Sequence, residues 1–273
     1  MRTNTINYEN YKVNKEKFGH VSTWALWDES VIEAKLSDVE QGYEIRKELL
    51  IANSEAEYKE KGLDTLLHGD VVVLALNFSC PPQVKGNTNE LIRILNEYKD
   101  EKDNRKRYEE LLKLSQEDER YVFANMYGHA GRRYAPEFMK SDILHGAYMT
   151  DFIKFVEEDG EILPAGIPHS NSGSNIVAEN LTGDKLVLQA KGLKEEFDLL
   201  GIQPKVIIFV SSKLNRERVK DAITEALGYR PQFEQLHHYT PGGSSYRKRN
   251  FNSYDEMYAA EIKQIIENIE AKV

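Results

Sequence analysis

Polar residues able to do chemistry stand at three places where apolar runs stop. Asn77 follows Val71–Leu76, Asp151 follows Tyr148-Met149-Thr150, and His237 and His238 end the stretch from Phe233. An amide, a carboxylate and an imidazole are parts for orienting water, reading hydrogen bonds and moving protons. Singly, each is also an ordinary turn residue, so their weight depends on whether the strand ends share one rim. Ser79 or Cys80 with His238 and Asp151 would compose a hydrolase triad. Against that, the chain has no Gly-X-Ser-X-Gly elbow, and Cys80-Pro81-Pro82 opens no helix that would lower a thiol pKa. His129, His145, His169, His237 and His238 lack metal-ligand spacing. Neither Gly-X-X-X-X-Gly-Lys-[Ser/Thr] nor Gly-X-Gly-X-X-Gly occurs, which removes the main support for nucleotide-hydrolase and dinucleotide folds.

The elements that must position these residues are legible from periodicity. A helix-favouring stretch runs from about Ser37 to Lys61, with Ser37 and Glu40 as capping box and Gly62 as stop. Val71–Leu76 is a continuous β-branched-rich run, the pattern of a strand buried on both faces of a parallel sheet. A loop to Asn87, a helix from Thr88 to Asp100 and a solvated charged stretch from Lys99 to Glu110 follow. Ala147–Thr150 is a shorter strand ending at Asp151, and residues 163–184 read as a long loop. Leu193–Leu200 is a helix closed by Gly201, and Lys205–Val210 a second buried strand. Asn215 caps a helix that Gly228 stops, Phe233–His237 is the last strand, and Ser253 with Glu256 caps a terminal helix. Alternating strands and helices predict a three-layer α/β/α fold with a mainly parallel central sheet. Residues 1–68 are expected as an N-terminal helical extension packed on a domain of residues 69–273. In open sheets of this class ligands sit beyond the carboxyl ends of the strands, which selects Asn77–Pro82, Thr150–Lys154 and His237–Gly243.

Composition narrows the classes. The 273 residues carry a net charge of −9, with 40% apolar and 30% charged residues, which excludes a disordered tail and a coat of positive charge. One cysteine, Cys80, excludes an intramolecular disulfide, a Cys₄ zinc site or a four-cysteine cluster, and no cofactor or metal is expected. No apolar leader follows Met1, and the longest apolar run is the six residues Val71–Leu76, so a cytoplasmic protein with no membrane partner is expected.

Taken in order, the selected segments resemble the uracil-DNA glycosylase superfamily over about residues 69–250. Ala75-Leu76-Asn77-Phe78-Ser79 resembles its first motif, a strand ending in Gly-X-Asn-Pro-Gly or a variant. Gly146–Lys154 is similar to its Val-Tyr-Ile-Thr-Asn-X-Val-Lys segment, and His238-Tyr239-Thr240-Pro241 to its His-Pro-Ser-Pro motif. Gly128-His129-Ala130-Gly131 is similar to the Gly-Arg-Ala-Gly loop of some members. The resemblance implies a uracil-DNA glycosylase-like fold that flips a nucleotide and hydrolyses its N-glycosidic bond in DNA repair. It implies catalytic roles for Asn77, positioning water, and His238, donating to the base oxygen as negative charge forms there. Asp151 would read the base, with Tyr127 or Phe78 stacking on it. Thr240, Gly242 and Gly243 would hold phosphate, with Arg247, Lys248 and Arg249 on the DNA.

Departures from the pattern carry information. Phe78 and Tyr239 replace prolines, and Asp151 stands where the family usually has Asn. An Asn amide matches uracil's N3–H and O4, whereas an ionised Asp offers acceptors only and faces O4 with no proton between. Asp151 must be protonated, must meet a ligand with two neighbouring donors such as guanine's N1–H and N2 edge, or must not act on uracil. Charge is segregated: from Tyr229 to Asn252, Arg230, Arg247, Lys248 and Arg249 face only Glu234, and His129, Arg132 and Arg133 form a second basic cluster. The expected partner is DNA, single- or double-stranded; the other reading is a non-catalytic module binding nucleic acid, a nucleotide or a protein on the same fold.

Overall fold

The longest apolar run becomes the centre of the sheet. In the computed structural model, which describes residues 3–29, 46–77, 113, 122–123, 133–158, 161–164, 178–238 and 245–272, Val71–Leu76 lies within strand β2 (His68–Asn77). None of these six side chains is more than 6% exposed, as expected for a strand covered on both faces. β2 pairs in parallel with β3 (Ala147–Ile153) and with β6 (Val206–Phe209), and β6 pairs in parallel with β7 (Gln232–Gln235). Strand β1 (Ser22–Trp24) adds an antiparallel edge to β3, giving the order β1-β3-β2-β6-β7. A separate antiparallel hairpin, β4 (Phe155–Glu158) with β5 (Glu161–Pro164), follows β3. The fold is therefore α/β, built on a mixed five-stranded sheet.

Helices cover both faces, and side-chain contacts identify which. Leu74, Thr150, Phe209 and Gln235 form one rung across the four parallel strands. Thr150 and Tyr148 bond to Glu196 of helix α5 (Gly183–Leu200), so their face is the α5 face. Helices α1 (Tyr8–Phe18) and α6 (Glu217–Leu227) pack beside α5 on that side. Glu234, in the alternate set, accepts from Asn268 of helix α8 (Tyr254–Glu270), which covers the opposite face together with α4 (Ala135–Phe138). An apolar stripe of α8 faces the core, with Tyr258, Ile262, Ile265 and Ile269 buried and Ile266 partly buried against it.

Several elements differ from their sequence expectation. The helix expected from Ser37 to Lys61 is interrupted at residues 51–54, because Ser54 caps a new helix, α2 (Glu55–Glu60), by accepting from the Glu57 N–H; residues 30–45 lie outside the described set. β3 does not end at Asp151 but continues to Ile153, since Phe152 and Ile153 are as buried as the residues before them. α5 starts ten residues earlier than Leu193, and Arg216, with no side-chain cap, occupies the position expected for Asn215 before α6. The N-terminal stretch expected to be helical holds α1, α2 and α3 (Leu63–Leu66), and also supplies β1 to the central sheet. It is further tied at Asp70, whose carboxylate accepts from the N–H and hydroxyl of Thr3 (2.8 and 2.6 Å) and from the N–H and amide of Asn4 (3.1 and 2.9 Å).

Two expectations follow from these ties. Gly146 enters β3 at φ +81°, and a Cβ there would lie 2.0 Å from the Leu66 carbonyl oxygen. Gly146→Ala should therefore lower the unfolding free energy by about 3 kcal/mol, read from urea denaturation. At Asp70, burial opposes ionisation, but the Thr3 and Asn4 donors and Lys205 outweigh it and hold the carboxyl at about 2. A pKa depressed in the folded state stabilises fully above the unfolded value near 4 and loses that contribution as pH falls toward 2. Asp70→Asn should cost about 2 kcal/mol at neutral pH and flatten the fall in stability between about pH 4 and 2.

Candidate functional site at the carboxyl rim

Parallel pairing sends β2, β3, β6 and β7 to one rim. The chain leaves β2 for β3 on one side and leaves β6 for β7 on the other, so a topological switch point, where ligands bind in open α/β sheets, lies between β2 and β6. Counted from the Leu74–Thr150–Phe209–Gln235 rung, Asn77 and His238 each stand three residues nearer the rim, and Asp151 one. Two strand spacings, about 10 Å, separate β2 from β7.

The segment after β7 is held by side chains from α8 and the turn before α4. The Leu236 N–H still bonds to the Phe209 carbonyl at 2.8 Å, and beyond it the sheet pattern stops. The Tyr134 hydroxyl donates to the His237 carbonyl, and the Tyr258 hydroxyl to the His238 carbonyl at 2.5 Å. Glu261, one turn past Tyr258, accepts the His237 backbone N–H at 3.1 Å and faces its Nδ1 at 2.8 Å. Since an ionised carboxylate only accepts, Nδ1 carries the proton and Nε2 is left for other partners. Arg249 Nη1 meets the same Glu261 oxygen at 2.8 Å. Burial raises the Tyr258 phenol above its usual range, so the hydroxyl stays a donor. The start of α8 is itself fixed: Ser253 accepts the Glu256 N–H at 3.1 Å while Glu256 accepts the Asn252 N–H at 2.9 Å.

Aromatic rings continue from this clamp to the surface. Tyr134 lies edge-on to Tyr258 at 5.3 Å, Tyr258 stacks on Tyr254 at 6.5 Å, and Tyr254 meets Tyr246 edge-on at 4.6 Å. The Arg133 guanidinium covers Tyr254 at 5.0 Å, and Arg247 covers Tyr246 at 5.5 Å. Tyr246 and Arg247 belong to the single-turn helix α7 (Ser245–Lys248).

The residues named from sequence divide as follows. His237, His238, Arg249, Arg247, Lys248 and Arg133 gather around α7 and the first half of α8. Asp151 is corrected in placement: it lies inside β3, opposite Ala75 and 1% exposed, not in a turn after the strand. Its alternate set includes Met149 and puts it on the face covered by α8. Lys154 is buried and ion-paired with Glu196 on the α5 side. His145 lies just before β3, at the amino rim, its carbonyl 3.2 Å from His68 Nε2. Asn77 closes β2; Phe78, Ser79, Cys80, Tyr127, His129, Arg132, His169, Thr240, Gly242 and Gly243 lie outside the described residues. An open groove of about 630 Å³ between residues 137–143 and Ala259–Glu270 lies near the amino rim, since Asn268 bonds to Gln232 at the start of β7. Among the described residues, no group of three or more His, Cys, Asp and Glu is placed to hold a metal, and no helix is long and apolar enough to cross a membrane.

Sequence reasoning missed Glu261, Tyr134 and Tyr258 as the parts that hold the histidines. The available signal was a carboxylate three residues beyond the stripe residue Tyr258, and beside Ile262. Glu261→Gln keeps the size of the side chain but weakens its bonds to imidazole and guanidinium. That change should cost about 1–3 kcal/mol in stability and shift the His237 ring ¹⁵N resonances away from the Nδ1–H pattern, with those of His145 unmoved.

Comparison with known proteins returns no matching family model, no similar curated protein and no similar solved structure.

Proposed function

We propose that the carboxyl rim is the active site of a DNA glycosylase-like hydrolase on a uracil-DNA glycosylase-like fold. The observation that carries the reading is a common rim: the segments bearing Asn77, Asp151 and His238 lie toward the carboxyl ends of β2, its neighbour β3 and, two strands away, β7, within three residues of a shared rung. Water oxygen bonds to the sugar C1′, the C1′–N bond breaks, and its electron pair leaves with the base, which takes a proton. Asn77 orients the water, and an amide suffices because a dissociative reaction needs little base strength. The His238 imidazole donates to the base oxygen as negative charge develops there. Thr240 and the backbone at Gly242 and Gly243 hold phosphate beside the flipped nucleotide.

Asp151 favours a second reading, a module that binds nucleic acid without cutting it. A carboxylate enclosed within β3, one residue past the rung, supplies no donor to uracil O4 when ionised. The experiment is a base-release screen of oligonucleotides bearing uracil, hypoxanthine, xanthine or mismatched normal bases, with alkali to reveal abasic sites. Native protein should release uracil weakly near neutral pH, and Asp151→Asn should raise that release roughly tenfold to a hundredfold. If a protonated Asp151 reads the base, native release instead rises as pH falls. Binding with no release from any oligonucleotide by either protein selects the second reading.

A further inference from the structure

We infer that the strip formed by Arg133, Tyr254, Tyr246, Arg247 and Lys248 is a binding site for unpaired nucleic acid, a single strand in preference to a duplex. The inference rests on the reading of this rim as a nucleic-acid surface and names the form of the strand it takes. Three observations carry it. The first is aromatic surface at the rim: Tyr246 and Tyr254 are half-buried, 4.6 Å apart and inclined at 66°, with the Arg247 and Arg133 guanidinium carbons 5.5 and 5.0 Å from their respective ring centroids. Bases offer their faces to such surfaces only when unstacked; a duplex presents base edges and phosphates.

The second is the distribution of charge. Arg249 is taken by Glu261, and Arg133 lies 3.5 Å from Asp255, a carboxylate 84% exposed and so well screened. Arg247 and Lys248 are exposed and have no carboxylate partner among the described residues. Stacking surface interleaved with unpaired cations is the composition by which proteins hold single strands without reading sequence. The third is continuity with the rim. Arg249 follows Lys248 directly and bonds to the carboxylate that holds His237, so a strand lying on the strip runs toward the histidines.

The test is fluorescence anisotropy of the full chain with a labelled 12-nucleotide oligothymidylate and with a 12-base-pair duplex, each across a salt series. The single strand should bind at least tenfold more tightly than the duplex. Tyr246→Leu, which keeps apolar bulk but removes the π face, should weaken single-strand binding roughly fivefold to a hundredfold, while Tyr246→Phe should retain it. Removing both Arg247 and Lys248 charges should lower the log–log salt slope by about 1.4 for the single strand. Equal or tighter duplex binding, an unaffected Tyr246→Leu variant, or no binding to either oligonucleotide would overturn the inference. Single-strand binding without base release would overturn the hydrolase and leave the strip standing; base release with duplex-preferring binding would do the reverse.

Discussion

The carboxylate of Glu196 has no exposed surface, yet it is the point to which the α5 face of β3 is fastened. One of its oxygens accepts from the Tyr148 hydroxyl at 2.6 Å and the Thr150 hydroxyl at 2.9 Å, and the other pairs with the Lys154 ammonium. Tyr148 in turn accepts from Asn14 of α1 at 2.7 Å, and the Lys154 N–H is held by Gln189 at 2.9 Å. A charge taken out of water needs such a full set of partners, and deleting one partner of a buried pair costs about 3–5 kcal/mol. The arrangement is also directional. It selects which alternate residues of β3 face α5, and thereby commits Met149 and Asp151 to the other face. His20, buried near the Lys154 ammonium, is driven by burial first and by that charge second down to about 4, and so stays neutral at physiological pH.

Once that register is set, the candidate site follows from parallel pairing and from α8. The sheet brings the ends of β2, β6 and β7 to one rim, but β7 stops at Gln235, and nothing in the sheet would hold His237 and His238. Tyr134, Tyr258 and Glu261 replace the missing ladder partners, taking two carbonyls and one N–H of that segment. Unpaired backbone groups at a half-buried rim are costly, so the clamp stabilises the segment and orients an imidazole together. The side chains nearest the proposed chemistry are thus placed by α8, which follows them in the chain, and by Tyr134, about a hundred residues earlier.

The strongly periodic parts of the fold were legible in the sequence. Val71–Leu76 and Val206–Phe209 advertise buried parallel strands by continuous apolar runs, and Ser253 with Glu256 marks the start of α8 by a local exchange of hydrogen bonds. What was not legible depends on tertiary contact. β1 is three residues long and exists because β3 offers an unpaired edge. α5 opens on Gly183 and Asp184, both poor helix formers, and Gln189 is buried, bonded to Asn180 and to the Lys154 N–H, contacts made only in the folded chain. Asp151 reads as a turn former because carboxylates favour turns; inside β3 it is buried, a placement that ordinarily disfavours a carboxylate and that only the tertiary structure discloses. Glu196 and Glu261 read as ordinary helix-surface charges, although each lies beside stripe residues, Leu193 and Phe197 for one and Tyr258 and Ile262 for the other.

Charge decides how such a protein would meet a polyanion. With a net charge of −9, the long-range field of the chain repels nucleic acid at low ionic strength. At physiological salt that field decays over about 8 Å, so what a phosphate experiences is the few charges within reach. Elsewhere among the described residues several cations are paired with carboxylates: Arg230 is shared by Glu217 and Asp221, Lys194 is held by Asp198, and Lys59 by Glu55. At α7 they are not, because Arg247 and Lys248 follow an aromatic residue instead of facing an acidic one in the next turn. Binding there would be short-ranged, with the π faces of Tyr246 and Tyr254 contributing the part that salt does not screen. On that proposal, an acidic protein organised this way would not accumulate on duplex DNA at large, yet would hold a strand whose bases are open to the strip.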